Sequence, residues 1–194
     1  MPVVVEVWWS SLVAADHRLM DVLDPVERGR LAAMERPADR GRSLVGFALL
    51  RAAVARHLDV EPADVVVDRT CDDCGQPHGR PRVVGPGDAR PWVSVSHSGV
   101  LVVVALSGGA AVGVDVQRVA DLGEHGTQRS GGAAADAERW VRAEAVTKLG
   151  ILHAGDRAGV RKLDAPTNGY AAALATLSAG DVEVLVRSWP STSG

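Results

Sequence analysis

Val3, Val5, Val7 and Trp9 alternate with other residues, which predicts an N-terminal strand with one buried face. The apolar period then lengthens. Asp24-Pro25 opens a short helix with proline in its first turn, Pro37 closes it, and Asp39 caps a longer helix to about Leu58. Leu44, Phe47, Ala48, Val54, Ala55 and Leu58 keep the 3.6-residue spacing along that helix and leave Arg42 and other arginines on its rim. Val65 to Val67 predicts a strand, and the Gly-, Pro- and Asp-rich stretch from Cys71 to Pro91 predicts mostly loop. Val93 and Val95 alternate with Ser94 and Ser96. Leu101 to Leu106 reads as an apolar strand, residues 107–109 as a hairpin turn, and Val112, Val114 and Val116 as the buried face of its partner strand.

Residues 121–135 have the small, polar composition of a flexible linker. A helix follows, with Asp136 as its cap, Trp140, Glu144 and Lys148 on one face at i, i+4 and i+8, and Gly150 as its stop. Tyr170 to Leu177 and Val182 to Trp189 return to strand-like runs. Antiparallel strands with helices make the expected fold class α+β. The 194 residues suffice for one core or two small fused halves.

Hydrophobic residues make up 46% of the chain and charged residues 23%, the balance of a soluble globular protein. The N-terminus lacks a basic stretch followed by an apolar run, and eighteen consecutive apolar residues occur nowhere, so the expectation is a cytoplasmic protein with no membrane segment. Two cysteines three positions apart, Cys71 and Cys74, do not make a disulfide scaffold. A net charge of −3 argues against wholesale nucleic-acid binding, yet Arg28 to Arg56 carries seven arginines against Glu35 and Asp39. Such a segment is either a solvated helix face or a phosphate site, which the planar guanidinium suits.

Four polar positions stand out as chemistry. With the valines of 112–116 facing a core, Asp115 and Gln117 project together from the other face, about 7 Å apart. Glu144 and Lys148 stand one helical turn apart, as in an ordinary salt pair. Cys71, Cys74 and His78 have ligand-like spacing, but no second pair completes a four-ligand zinc site, with His97 the one histidine that folding could bring near. The expectation is a loop-shaping pair without stoichiometric zinc. His17, His57, His125 and His153 read as surface or structural, and Trp140 as a core anchor of its helix.

Three segments, 94–99 (SVSHSG), 113–116 (GVDV) and 140–148 (WVRAEAVTK), come in the order and rhythm of the phosphopantetheinyl transferase superfamily, whose patterns they resemble: SHS, G-[VI]-D-[VI]-E and W-x-x-K-E-x-x-x-K. The likeness extends to Arg40–Gly46, to Cys71–Pro81, a CxxCG-x-PHG-[RK]-P loop familiar in actinobacterial members, and to Gly169–Ala173. The chain therefore resembles an Sfp-like, surfactin-synthetase-activating 4′-phosphopantetheinyl transferase. That resemblance implies a pseudo-twofold fold of two similar subdomains, 1–107 and 108–194, with coenzyme A bound in the cleft between them. It implies transfer of the 4′-phosphopantetheine arm to a serine of an apo acyl or peptidyl carrier protein, with Mg²⁺ on the pyrophosphate. A monomer serving secondary metabolite biosynthesis is the implied setting.

By the same resemblance, Asp115, Gln117 and Glu144 are the magnesium ligands, Glu144 is also the general base, and Lys148 steadies the phosphate charge. Arg42 with Ser43, His97 with Ser96, and Arg80 would hold coenzyme A phosphates, and Arg28 and Arg30 would reach the 3′-phosphate. Two motif positions lose charge: the second acid of the strand is Gln117, and the lysine before Glu144 is Ala143. The 118–139 connection is shorter than in typical members and lacks the aromatic segment that grips the carrier. Either the chain is an unusual working transferase, or it is a repurposed member that binds coenzyme A, a carrier protein or another ligand in the old cleft.

Overall fold

Alternate residues of β1 (Val3–Ser11) serve two different cores. Trp8 packs toward the long helix α2 (Pro37–Leu58), while Val5, Val7 and Trp9 pack toward a second sheet. The strand expected to bury one face thus buries both over its second half, because it lies inside a four-stranded sheet ordered β4 (Trp92–Ser98), β5 (Leu101–Ser107), β1, β9 (Val182–Ser188). Neighbours in this sheet are antiparallel except β1 and β9, which run parallel. The computed structural model describes residues 2–85, 90–123, 132–151 and 157–190.

The second sheet is three-stranded and antiparallel, ordered β6 (Ala111–Arg118), β8 (Tyr170–Leu177), β7 (Gly159–Lys162). Val112, Val114 and Val116 press its inner face against Leu101, Val103 and Ala105 of the first sheet. Its outer face, Ala111, Ala171, Ala173 and Ala175, is covered by Ala137, Val141, Ala145 and Leu149 of α4 (Gly132–Thr147) and its C-terminal end. The layers run helix, sheet, sheet, helix: an α+β fold. The chain passes from the first sheet to the second between Ser107 and Ala111, and β9 returns to the first.

Several expectations shift at this level. Residues 107–109 do not turn a hairpin between paired strands: β5 bonds to β4 and β1, and β6 bonds to β8. The valine period of β6 fixes which face is buried but not which sheet buries it. Pro37 opens α2 instead of closing the preceding helix α1 (Pro25–Ala32), since a residue without an N–H fits a helix's first position. Asp39 consequently lies in the first turn of α2, not at its cap. Asp24 does cap α1, in a reciprocal box with Glu27.

Asp136 is inside α4 and pairs with Arg139, because the helix begins at Gly132, ahead of the expected cap. Of the expected linker, 121–123 end the short helix α3 (Val119–Gly123), 132–135 start α4, and 124–131, with His125, lie outside the described residues, as does His153. Gly150, at φ +63°, stops the helix as expected. Among the described residues, no helix is long and apolar enough to cross a membrane.

One arginine of the basic segment works inside the fold. Arg51 is 1% exposed and donates to Glu27 (2.7 Å), Asp24 (2.8 Å) and the Val65 carbonyl (2.6 Å), tying α1, α2 and the entry to β2 (Val66–Asp68) together. Strand β3 (Arg82–Val84) pairs with β2 and brackets the cysteine loop.

Candidate active site

β6 is an edge strand, so the amides on its free side lack a strand partner. The serines of β4 supply one. Ser94, Ser96 and Ser98 Oγ accept the N–H groups of Val114 (3.0 Å), Val116 (3.3 Å) and Arg118 (2.9 Å), so the two-residue period of one strand is matched by that of the other. Ser96 uses its hydroxyl proton as well, donating to Asp115 Oδ1 at 2.7 Å. After β4, Gly99 turns at φ +54°, and a side chain there would collide with the Tyr170 hydroxyl, which accepts the Val100 N–H at 3.0 Å.

Gly113 lets α4 approach β6. A Cβ there would strike the Ala145 carbonyl oxygen and come within 2.9 Å of Leu149 N. With the 137, 141, 145 stripe of α4 buried against the sheet, the 140, 144, 148 face turns toward Asp115. Lys148 Nζ donates to Asp115 Oδ1 at 2.6 Å. Asp115 is 6% exposed, and among the described residues no hydrogen bond falls on its Oδ2. The Glu144 side chain, half-buried, makes no hydrogen bond or ion pair with the described residues. Gln117 donates its amide nitrogen to the Arg118 carbonyl at 3.2 Å, leaving its amide oxygen available to a cation. Trp140 is not the expected core anchor: it is 50% exposed and lines the same cleft, because smaller residues provide the helix's buried stripe.

That cleft has a volume of about 310 Å³. It brings together Arg30, Ser43, Ser96, His97, Asp115, Gln117, Glu144 and Lys148 of the residues expected from sequence. Three others do not line it. Arg28 is exposed and bonds the Met20 carbonyl at 3.1 Å. Arg42 bonds Asp39 and the Gly99 carbonyl, fastening α2 to the turn after β4. Arg80 donates to the Leu149 carbonyl at the end of α4, stacks over Trp92 at 5.6 Å and lines a second cavity with Pro81 and Arg82.

Arg69, unnoticed in the sequence, enters the cleft. It is 9% exposed, its guanidinium lies 4.8 Å from the Phe47 ring centre, and Arg30 sits over the same ring at 5.2 Å. Among the described residues, Arg69 Nε and one of its terminal nitrogens are buried without a hydrogen-bond partner, as is one terminal nitrogen of Arg30. Burial, then the neighbouring Arg30 charge, pushes the Arg69 pKa down to about 10. Arg69 is buried and Arg30 half-buried, and their unused donors are suited to an anion. A faint signal existed: Arg69 directly follows a short strand beyond the basic segment.

His97 stands on the exposed rim, on the α2 side with Val93 and Val95. Crowding by the surrounding chain, then the charges of Arg42 and Lys148, hold its pKa below the ordinary histidine value.

Comparison with known proteins finds partial likeness to phosphopantetheinyl transferases in general. The chain is 33% identical over 123 residues to a phosphopantetheinyl transferase of Thraustochytrium sp., a match covering 60% of this chain and 41% of that protein. It is 32% identical over 96 residues to a Synechocystis sp. protein provisionally named 4′-phosphopantetheinyl transferase, covering 50% of this chain and 37% of the other. The matched regions thus span less than half the length of these curated relatives. No protein-family model matches the chain.

Proposed function

We propose that the chain is a phosphopantetheinyl transferase of the Sfp-like type, moving the 4′-phosphopantetheine arm of coenzyme A to a serine of an apo acyl or peptidyl carrier protein. The observation that carries this reading is the division of charge in one cleft: Asp115 and Glu144 on one side, and Arg30 and Arg69 with buried, unused donors on the other. A ligand that is both polyanionic and metal-bearing satisfies both sides, and a nucleotide pyrophosphate with an additional phosphate is such a ligand. The likeness to the two named transferases supports the same class.

Asp115 Oδ2, a Glu144 carboxylate oxygen and the Gln117 amide oxygen are the hard oxygen donors that suit Mg²⁺, and these three residues line one cleft. When bound, the ion would neutralise pyrophosphate charge and orient the reacting phosphorus. Arg30, Arg69, Ser43 and His97 hold phosphate oxygens, and Trp140 offers an aromatic face. Glu144, without another partner among the described residues, takes the proton of the attacking carrier serine. The serine oxygen forms a bond to the β-phosphorus of coenzyme A, the bond from that phosphorus to the bridging oxygen breaks, and adenosine 3′,5′-bisphosphate leaves. Lys148 holds Asp115 with one of its three N–H groups and meets the developing phosphate charge with another.

In this reading the protein is a cytoplasmic monomer serving secondary metabolite biosynthesis, and the two sheet-and-helix layers are its pseudo-twofold halves. A second reading, a coenzyme A or carrier-protein binder with altered chemistry, draws on the neutral residues Gln117 and Ala143. Coenzyme A carrying a fluorescent group on its thiol separates the two: transfer labels an apo carrier protein in a magnesium-dependent way, whereas binding alone leaves the carrier dark.

A further inference from the structure

The cysteine loop brings together three ligands that the transfer chemistry does not use. Cys74 Sγ lies 3.0 Å from His78 Nε2, and the two sulfurs and an imidazole nitrogen all lie within 4.8 Å of one another. Zinc bonds of about 2.3 Å to sulfur and about 2.0 Å to nitrogen give tetrahedral edges of roughly 3.5–3.8 Å, so small side-chain rotations close the cluster around an ion. Both cysteines are free thiols.

The backbone is already shaped for this. Cys71 N–H donates to the Gln76 carbonyl at 2.8 Å, Gly75 N–H donates back to the Cys71 carbonyl at 2.9 Å, and Gly75 turns at φ +72°. The N–H groups of Asp73 and Cys74 point at the Cys71 sulfur, where they would offset the charge of a thiolate ligand. Gly79 N–H then donates to the Arg69 carbonyl at 2.7 Å, and a Cβ at Gly79 would come within 2.7 Å of the Thr70 carbonyl, so the loop closes tightly on its own stem. A cysteine pair that merely shaped a loop would have no use for an imidazole in contact with one sulfur.

We infer that Cys71, Cys74 and His78 bind one zinc ion, leaving its fourth position to water or an external ligand. Among the described residues the cluster has these three members and His97, which lines the cleft instead, is not one of them. Two thiolates and a neutral imidazole balance the charge of a divalent ion, and sulfur donors select zinc over the hard magnesium of the cleft. The ion would clip a loop whose stem carries Arg69 on one side and Arg80 on the other. The proposal stands on this loop alone and does not depend on the transferase reading.

The test uses the full chain, kept reduced and free of chelator, incubated with Zn²⁺ and desalted. About one equivalent of zinc by elemental analysis is expected, with C74S and H78A each retaining little. Both substitutions fall on exposed positions, so thermal melting should show the variants folded. With Co²⁺ alone as the probe, a thiolate-to-cobalt charge-transfer band should appear and should survive millimolar Mg²⁺. Retention of less than about a tenth of an equivalent by the reduced wild type, a cobalt complex without the thiolate band, or equal zinc retention by C74S would overturn the proposal.

Discussion

Ser96 joins the two sheets and the carboxylate of the site at one atom: its Oγ accepts the Val116 N–H at 3.3 Å and donates to Asp115 Oδ1 at 2.7 Å. Ser94 accepts the Val114 N–H in the same way but makes no bond to Asp115. Ser96→Ala and Ser94→Ala should each destabilise the fold by about 1–3 kcal/mol, because each leaves a buried N–H unpaired. Only Ser96→Ala should also weaken magnesium binding, raising the magnesium concentration for half-maximal rate. Denaturant melts and a magnesium titration of both variants check this; equal titration curves would show that Ser96 is structural only.

Gly113 is required by the approach of α4, and the helix carries Glu144 and Lys148. Gly113→Ala would drive a methyl group into the Ala145 carbonyl and Leu149 N and so force the helix away from β6. The expected cost is about 1–3 kcal/mol of stability, together with a loss of turnover far larger than the folded fraction explains. Turnover that tracks the folded fraction would mean the helix tolerates the displacement without losing the site.

Arg69 should trade stability for binding. Replacing this buried cation by Met removes its repulsion with Arg30 and its unused donors, so the ligand-free protein should melt at a higher temperature. Coenzyme A affinity should fall by roughly tenfold to a hundredfold, the equivalent of one charge-assisted phosphate contact. Calorimetry and a thermal melt read the two effects separately, and a stabilised variant with unchanged affinity would remove Arg69 from the binding set.

His97 gives binding a pH signature. Its folded pKa lies below the ordinary value of about 6.5, so between the two values the unfolded chain holds more protons than the folded one. Its contribution to stability therefore rises with pH through that window and is lost as pH falls below it. A phosphate beside the imidazole acts oppositely, raising its pKa. Binding should take up a proton, and affinity should strengthen as pH falls from about 8 to about 6. Calorimetry in buffers of different ionisation enthalpy would detect that uptake, and His97→Ala should remove it. Uptake of the same size in His97→Ala would assign the proton elsewhere.

Local chemistry made much of the fold readable. The Asp24 cap, Pro25 in the first turn of α1, and Gly150 at the end of α4 act within a few residues of themselves, whereas Pro37, expected to close α1, opens α2. Pairing was not readable, since the valines of β6 suit a strand beside β5 as well as one facing it. In the cleft, spacing placed Asp115 with Gln117 on one strand face and Glu144 with Lys148 on one helix face, while the motif resemblance alone joined the two pairs into one site. The role of Ser94, Ser96 and Ser98 was hidden, for it depends on an edge strand that the alternation of β4 does not reveal. Arg69 and Trp140 were missed for a shared reason: burial and exposure there follow from how α1, α2 and α4 pack, not from their own neighbours in sequence.

Phosphopantetheine transfer by this cleft would leave its mark on the mass of the carrier protein. Intact-mass measurement of an apo carrier protein incubated with the chain, coenzyme A and Mg²⁺ tests it most directly. The carrier should gain the mass of one phosphopantetheine arm, the gain should vanish with chelator and with Asp115→Ala or Glu144→Gln, and Gln117→Glu with Ala143→Lys should accelerate it. An unmodified carrier with both the wild type and that double variant, across a panel of apo carriers and with coenzyme A still bound, would contradict the claim.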